Sequence, residues 1–188
     1  NISYVTAHGE GAFYGPKIDL HVKDAIGRRW QLSTIQVDFA QPDNFDLQFV
    51  DSNNKRVKPV MIHRALLGSI ERFTGILIEN YAGEFPGWLS PVQVKILTIG
   101  DVSNYLNKIT KSLKGFRYEV DDRNLRLGEK LHDASKDRIP ITLIVGEKDE
   151  LSNTLAINIR SQDNQQNVKY EDAIKQIKAN LKTPIFKI

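Results

Sequence analysis

The chain has 188 residues, of which 40% are hydrophobic and 26% charged, and its formal net charge is +3. This composition fits one large or two small soluble domains, and no apolar run is long enough to span a membrane. Cysteine is absent, which excludes disulfides and thiolate metal sites and leaves His and carboxylates as the strong metal ligands of the chain. Because the sequence begins without Met and shows no signal peptide, we expect a cytoplasmic fragment or processed piece.

The charge is unevenly distributed along the chain. Residues 1–89 carry nine Lys and Arg against ten Asp and Glu, whereas residues 90–188 carry 17 against 13. A mildly basic second half permits a polyanionic partner, although many ordinary domains are equally basic. The pattern predicts two domains, 1–89 and 90–188.

In the first half, the Gly-rich segment HGEGAFYGP favours turns. KIDLHVKD (17–24) then alternates apolar and polar residues, which predicts a half-buried strand. AIGRR predicts a hairpin turn around Gly27 that leads into a second strand, RWQLSTIQVDF, and hence into an antiparallel sheet. DSNNKRVK (51–58) is expected to be a polar loop and PVMIHRA a third strand.

The segment SIERFTGILIENY predicts an amphipathic helix. Ile70, Phe73, Leu77 and Tyr81 recur at helical spacing, and Ser69 is a good N-cap. AGEFPGWLSP, with its glycines and prolines, is expected to be a linker that ends near Pro91.

The second half alternates strands and helices. Strands are predicted at VQVKILTIG, FRYEVD, ITLIVG and LAINIRS, and helices at VSNYLNKITKSLKG, LGEKLHDASKDR and YEDAIKQIKANLK. Such alternation over about a hundred residues indicates a small α/β domain with a mixed sheet.

Four segments, in order, carry a family resemblance: GEGAFYGPKID, WQLSTIQVDF, PVMIHRALLGSIERF and GEFPGWLSPVQV. In them the chain resembles the C-terminal part of the threonyl-tRNA synthetases, which are class II aminoacyl-tRNA synthetases. The resemblance covers essentially all residues and is strongest from 9 to 95. It implies the last part of the antiparallel class II catalytic sheet, including motif 3, followed by an α/β anticodon-binding domain with a mixed five-stranded sheet.

The resemblance implies activation of threonine with ATP and Mg²⁺, followed by transfer to tRNA(Thr). Arg72 would be the motif 3 arginine, whose planar guanidinium stacks on adenine. Gln31 would contact the nucleotide, Lys17 would offset carboxylate or phosphate charge, and Tyr14 would bind the substrate amino group. Without the resemblance, Arg72 would be better interpreted as a solvated helix residue, and Lys17 as a solvated strand residue.

Three further residues are implied at the substrate site. Thr34 and Gln36 align with the region that faces the terminal adenosine of tRNA, and Ser69 lies where the strand turns into the helix. Strand parity puts Thr34 and Gln36 on one face and Gln31 on the other. All three therefore line one pocket only if a bulge or an end effect intervenes.

His63 is implied to be one of three zinc ligands, the others being a cysteine and a histidine upstream of residue 1. Zinc with an open position can accept both the amino and hydroxyl groups of threonine, which valine cannot match. A histidine on an apolar strand is otherwise more often a core residue.

In the second half, Arg123 and Asn124 of DDRN, together with Asp149 and Arg160, are the candidates for anticodon contact. The sequence departs from the family at His132 and Asn158, where arginine is usual. Arg160 is expected to lie on the same strand face as Asn158 and to substitute for it in part. A solvated α/β surface is an equally good interpretation of these residues.

The leading hypothesis is part of a threonine–tRNA ligase that is homodimeric at full length, does not bind a membrane, and is inactive as this fragment. The alternatives are a non-catalytic synthetase-derived RNA-binding module, a related synthetase such as the prolyl enzyme, and a structural dimerisation piece.

Overall fold

The computed structural model describes residues 3–185. These residues form two compact units, the first ending at Asn80 and the second beginning at Tyr81. The predicted domain boundary at 89/90 stays a prediction. Within the described part of the chain, no helix is long and apolar enough to cross a membrane.

The first unit is built on a three-stranded antiparallel sheet with the order β1-β2-β5, as the hairpin pattern predicts. The strands are β1 (Lys17–Lys23), β2 (Arg29–Asp38) and β5 (Met61–Ala65). The turn between β1 and β2 follows the sequence prediction: the Gly27 amide donates to the Asp24 carbonyl at 3.0 Å, and Gly27 adopts a φ of +85°. This positive φ is one that glycine adopts without steric cost.

Strand β1 is half-buried, and its covered face is the polar one. Its apolar side chains Ile18 and Leu20 are 64% and 51% exposed, whereas Lys17 and Asp19, on the other face, are partly buried. The polar face is the more covered one because Lys17 and Asp19 pair with each other and with β2. Alternation therefore located the strand and its two faces correctly, and the structure shows that the polar face is the more covered one.

Helix α2 (Ile70–Tyr81) follows β5 and begins as predicted. The Ser69 hydroxyl accepts a hydrogen bond from the Arg72 amide at 3.2 Å, so Ser69 is the N-cap. Gly68, just before it, has a φ of +69°, and a Cβ at that position would meet the Leu32 carbonyl oxygen at 3.2 Å. The Gly-Ser pair thus turns the chain from strand into helix close to β2.

The second unit contains a mixed five-stranded sheet with the order β10-β9-β8-β6-β7. Three strands are parallel, and β9 and β10 are antiparallel to their neighbours. The five strands and four helices, in chain order, are β6 (Val94–Ile99), α3 (Ser103–Ser112), β7 (Tyr118–Asp121), α4 (Leu127–Lys136), β8 (Ile141–Gly146), α5 (Glu147–Ser152), β9 (Thr154–Ile159), β10 (Gln165–Lys169) and α6 (Tyr170–Asn180).

The core of this unit lies between one sheet face and helices α3 and α6. It consists of apolar side chains from the sheet, among them Ile96, Leu143 and Ile157, and from the helices, among them Ile109 and Ile177. All five are at most 1% exposed. The near-continuous apolar runs of β6 and β8 are typical of central parallel strands.

Five short elements were missed by the sequence prediction. The expected loop 51–58 contains half of a small hairpin, β3 (Phe49–Val50) with β4 (Arg56–Val57), and α1 (Ala40–Asn44) precedes it. Helix α5 and strand β10 were also not predicted. Strands of two residues and helices of five or six are too short to show periodicity, and the edge strand QQNVK has a single apolar residue.

The predicted linker 82–91 is fastened to the second unit. The Arg117 guanidinium donates to the carbonyls of Trp88, Ser90 and Pro91, and the Gln93 amide donates to that of Gly87 at 2.8 Å. Arg160 donates to the carbonyl of Phe85. Irregular backbone here is hydrogen-bonded to side chains of the unit that follows it.

Candidate functional site

One face of the three-stranded sheet carries most of the polar residues selected from the sequence. Opposite residues of an antiparallel pair share a face. The register therefore groups onto one surface the pairs Lys17–Gln36, Asp19–Thr34, His21–Gln31 and Gln36–His63. We call this surface the polar face.

A β-bulge places Gln31 on the polar face together with Thr34 and Gln36. Asp19 pairs with Thr34 and His21 pairs with Gln31, and the register shifts between Leu20 and His21. The extra residue on β2 inverts the parity of the strand at this point, so Gln31 faces the same side as Thr34. The structure therefore contains the bulge that is needed for Gln31, Thr34 and Gln36 to share one face.

Lys17, Asp19 and Thr34 form a hydrogen-bonded group on the polar face. Lys17 Nζ lies 2.7 Å from Asp19 Oδ2, and the Thr34 hydroxyl donates to Asp19 Oδ1 at 2.7 Å. Burial alone raises the pKa of Asp19, but hydrogen bonds from Lys17 and Thr34 outweigh it and lower this pKa. The hydrogen bond with Asp19 in turn raises the pKa of Lys17. Lys17 is therefore charged, with Asp19 compensating part of that charge.

Tyr14 closes one end of the polar face. Its hydroxyl donates to Gln36 Oε1 at 2.7 Å, and its ring centroid lies 6.2 Å from that of His63. The Tyr14 backbone is tied to the end of β2, because the Phe39 amide donates to the Tyr14 carbonyl at 3.0 Å. Tyr14 also lines an open cleft of about 630 Å³ beside the Gly-rich segment. Tyr14, Gln36 and His63 thus lie side by side.

His63 is oriented by Asp38, a carboxylate that is only 1% exposed. Nε2 of His63 lies 2.7 Å from Asp38 Oδ2, while the amides of Ala40 and Gln41 each donate to Asp38 Oδ1 at 2.9 Å. Burial alone would raise the pKa of Asp38, but hydrogen bonds from the Gln41 amide and His63 outweigh this effect, so the pKa is lowered. Since an ionised carboxylate only accepts hydrogen bonds, Nε2 carries a proton in this contact, and in the neutral imidazole Nδ1 is then the nitrogen with a lone pair.

This arrangement fits one ligand of a metal site. Metal-bound histidines typically donate their second ring N–H to a carboxylate, as His63 does to Asp38. Within residues 3–185, however, no group of three or more His, Asp or Glu residues could hold a metal ion. His63 could therefore act only as one member of a ligand set completed by residues outside this range.

Arg72 lies near the N-terminus of α2 with its guanidinium exposed. Its Nη1 donates to the Gln31 carbonyl at 3.3 Å, and its Cζ lies 5.8 Å from the centroid of the Trp30 ring. In the described residues, Arg72 has no carboxylate within ion-pair distance. Its positive charge is thus available to a ligand, in contrast to that of Lys17.

Ser69, selected as a substrate-binding residue, is placed by the structure at the helix cap. Its hydroxyl accepts from the Arg72 amide and its carbonyl accepts from the Phe73 amide at 3.1 Å. A substrate role for Ser69 stays a prediction.

In the second unit, Arg123 is held by two carboxylates. Its guanidinium lies 2.7 Å from Asp121 Oδ2 and 2.7 Å from Asp133 Oδ2, and the hydrogen bond with Asp121 is the main cause of its raised pKa. These groups line a cleft of about 360 Å³ with Lys95 and Asp137. Two carboxylates on one guanidinium leave little net charge for a phosphate or base.

Arg123, Asn124 and Asp149 lie at one edge of the sheet, because they follow the carboxyl ends of the parallel strands β7 and β8. Asn124 is exposed. Asp149 caps α5: its Oδ2 accepts from the Gly146 amide at 2.9 Å. A carboxylate this close to a helix start is stabilised by the amides around it.

Arg160 is not brought to that edge. It follows β9, which runs antiparallel to β8, and its amide donates to the Pro140 carbonyl at 2.9 Å, beside the start of β8. Its guanidinium donates to the carbonyls of Phe85 and Arg138. Asn158 pairs with Thr142 in mid-sheet, and His132 is exposed on α4. The expected substitution of Arg160 for Asn158 therefore finds no support in its contacts.

Sequence reasoning missed Asp19 and Asp38 as members of the polar face. For Asp38 a signal was present, since the alternation that groups Thr34 and Gln36 extends by two residues to Asp38. For Asp19 the partner positions depend on the strand register, which alternation does not give.

Sequence profiles of two protein families match the chain. The tRNA synthetase class II core domain (G, H, P, S and T) matches residues 2–81, and the anticodon binding domain matches residues 93–180. The chain belongs to the class II aminoacyl-tRNA synthetases. Its antiparallel sheet is a segment of the synthetase core, and its five-stranded mixed sheet is the anticodon-binding domain.

Relatives of this synthetase chain include two proteins named threonine–tRNA ligase. The one from Clostridium acetobutylicum is 44% identical over 191 residues, which cover 100% of this chain and 30% of that protein. The one from Clostridium tetani is 49% identical over 164 residues, which cover 86% of this chain and 26% of that protein. The chain thus spans less than a third of the length of these curated relatives.

Solved structures agree with the fold of this synthetase chain. The RNA binding domain of threonyl-tRNA synthetase from Cryptosporidium parvum Iowa II superposes with a TM-score of 0.76 at 31% identity, covering 92% of this chain and 44% of that one. A putative threonyl-tRNA synthetase from Aeropyrum pernix superposes with a TM-score of 0.60 at 29% identity, covering 92% and 43%.

Proposed function

We propose that this chain is part of a threonine–tRNA ligase, which activates threonine with ATP and transfers it to tRNA(Thr). The observation that carries the proposal is the polar face, where the bulge in β2 aligns Gln31 with Thr34, Gln36 and His63. The exposed and uncompensated guanidinium of Arg72 lies beside it, bonded to the Gln31 carbonyl. A non-catalytic RNA-binding module has no need of such an arrangement.

Nucleotide binding is assigned to Arg72 and Gln31, and contact with the substrate carboxylate to Lys17. The Arg72 guanidinium can lie against the π-face of adenine while keeping its charge, which a lysine ammonium does less well. Gln31 contacts the nucleotide from the same face. Lys17 carries less free charge because of Asp19, so we assign it to orienting the substrate carboxylate; Mg²⁺ accompanies ATP.

Threonine selection is assigned to Tyr14, Gln36 and His63. We propose that His63 is a zinc ligand through Nδ1, with Asp38 fixing its tautomer and ring orientation through Nε2. Zinc bound there would supply coordination for the amino and hydroxyl groups of threonine, which excludes valine. Tyr14 and Gln36, hydrogen-bonded to each other, provide polar atoms next to that position.

We propose that the second domain, residues 90–188, binds the anticodon region of tRNA with the edge that carries Arg123, Asn124 and Asp149. Loss of a cationic reader at His132 and Asn158 is expected to weaken base recognition by about 1–3 kcal/mol per contact. The complete ligase is proposed to be a cytoplasmic homodimer.

ATP–pyrophosphate exchange tests the proposal. The polypeptide that combines this chain with the rest of the ligase is assayed with each of the 20 amino acids, alongside His63→Ala and Arg72→Ala. We expect exchange with threonine, its collapse in His63→Ala, and a rise of roughly 10- to 30-fold in the KM for ATP in Arg72→Ala.

Arg64→Ala is the matched control for Arg72→Ala. Arg64 lies next to His63 on β5, but on the opposite sheet face, paired with Ile35. Exchange that is absent with all amino acids in a folded, zinc-replete protein would contradict the ligase and favour the RNA-binding module.

A further inference from the structure

Trp30 lies within 6 Å of two guanidinium groups. The Cζ atoms of Arg28 and Arg72 are 5.6 Å and 5.8 Å from the centroid of its ring. Arginine side chains at this distance are attracted by the negative face of an indole. Trp30 is the second residue of β2 and precedes Gln31, so it lies between the hairpin turn and the site of Arg72.

The two arginines differ in charge compensation. Arg28 lies 2.5 Å from Asp24 Oδ2 and 2.6 Å from Glu79 Oε2, so two carboxylates balance its charge. Arg72 has no such partner in residues 3–185, where its polar contact is the Gln31 carbonyl. Arg28 therefore has a structural role beside Trp30, and the Arg72 guanidinium is the one available to contact a ligand.

The indole itself is fixed in place. Its Nε1 donates to Asp24 Oδ2 at 2.9 Å, and the side chain of Asp24 is fully buried. The amides of Ile26 and Arg28 donate to the other oxygen of the same carboxylate, at 3.1 Å and 2.8 Å. Rotating the ring would leave a buried acceptor without one of its donors, which is unfavourable.

We propose that Trp30 is a positioning residue for nucleotide binding. Its ring and the Gln31 carbonyl together hold the Arg72 guanidinium in one orientation before ATP arrives. A long side chain that is already ordered loses less conformational entropy when it binds, so the affinity for the nucleotide rises. This inference rests on the proposed role of Arg72 at adenine.

A double-mutant cycle in ATP–pyrophosphate exchange tests the proposal on the complete ligase. The variants are Trp30→Leu, Trp30→Phe, Arg72→Ala and the double variant Trp30→Leu with Arg72→Ala. We expect Trp30→Leu to raise the KM for ATP roughly three- to tenfold with the KM for threonine unchanged. In the Arg72→Ala background, Trp30→Leu should cause no further rise, because it acts through Arg72.

Trp30→Phe separates positioning from folding. It keeps an aromatic face for Arg72 but loses the Nε1 donor and the second ring, so its KM for ATP should lie between those of the wild type and Trp30→Leu. If circular dichroism shows that Trp30→Leu does not fold, the cycle is run with Trp30→Phe. Trp88→Leu, which removes a partly exposed tryptophan in the other unit, should leave the KM for ATP unchanged.

Two failures are distinguishable. Additive effects of Trp30→Leu and Arg72→Ala would overturn the positioning role and leave the proposed function intact. An Arg72→Ala variant with an unchanged KM for ATP would instead remove the assigned role of Arg72, and with it the basis of the inference.

Discussion

At the scale of single residues, Asp24 predicts a pH dependence of the first unit. Burial raises the pKa of this carboxyl, but hydrogen bonds from Trp30, Arg28 and two amides outweigh it and bring the pKa to about 2. Because the pKa of Asp24 is lower in the folded than in the unfolded chain, its ionised form stabilises the fold. This stabilisation is complete at pH values above the unfolded pKa and is lost as the pH falls through the folded pKa. We therefore expect stability to decline between pH 4 and pH 2.

The measurement is urea unfolding of the chain from pH 6 to pH 2, followed by Trp30 fluorescence in a Trp88→Phe background. Asp24→Asn should be less stable than the parent at pH 6 and should show a shallower decline below pH 4. An equally steep decline in the Asp24→Asn variant would assign the acid sensitivity to other carboxylates.

Asp24 also shows what the sequence does and does not reveal about single residues. The hairpin turn and Ser69 as a helix cap could be predicted, because both depend on residues next to each other in the chain. The Asp24–Trp30 bond and the Asp38–His63 bond could not, since each depends on how a particular side chain is directed in the folded sheet. The resemblance selected His63 and Arg72 but left out the carboxylate and the indole that hold them.

At the scale of elements, the start of α2 gives a prediction about Ser69. Ser69→Ala removes the acceptor for the Arg72 amide and should lower the free energy of unfolding of the first unit by about 1 kcal/mol. Ser69→Asp keeps a capping oxygen and should restore that stability. Urea midpoints from Trp30 fluorescence provide the comparison.

The same pair of variants separates the cap from the predicted substrate role. If Ser69 only caps the helix, any loss of ATP–pyrophosphate exchange that Ser69→Ala causes in the complete ligase should be reversed in Ser69→Asp, together with the loss of stability. Restored stability with a raised KM for threonine would show that the hydroxyl also meets the substrate.

Strand β2 shows why element positions were easier to predict than their faces. Its length and type followed from β-branched and aromatic residues, and β5 and α2 were located equally well. The bulge was raised only as a condition for Gln31, because an extra residue leaves no mark in an apolar–polar pattern. The covered face of β1 could not be predicted either, because alternation identifies two faces without saying which one is covered.

At the scale of the whole molecule, we predict that the 188-residue chain alone forms no threonyl-adenylate. In the described residues, no group of three or more His, Asp or Glu residues could hold a metal ion, and Arg72 is the cation without a carboxylate partner beside the nucleotide position. Transition-state charge on phosphate requires several positioned cations or metal ions. The check is ATP–pyrophosphate exchange with threonine and zinc, and threonine-dependent exchange by the chain alone would contradict the prediction.

The hydrogen bonds between residues 82–91 and the rest of the second unit predict where an autonomous anticodon-binding domain begins. If residues 82–91 belong to its fold, the fragment 81–188 should be more stable than the fragment 93–188. Removing residues 81–92 takes away the carbonyls that accept from Arg117, Gln93 and Arg160 and uncovers Leu181, which lies against Gly87. At about 1 kcal/mol for each of the five lost hydrogen bonds, and about 4–8 °C per kcal/mol in a domain of this size, we expect Tm to fall by roughly 20–40 °C.

Thermal unfolding of both fragments, followed by circular dichroism, measures this difference. Arg117→Ala within 81–188 should lower Tm by an intermediate amount, because it releases the segment at Trp88, Ser90 and Pro91 while Gln93 and Arg160 still hold it. Lys178→Ala, an exposed change on α6, is the control and should leave Tm within a degree or two. Equal Tm values for 81–188 and 93–188 would show that residues 82–91 are a linker after all, as their glycines and prolines first indicated.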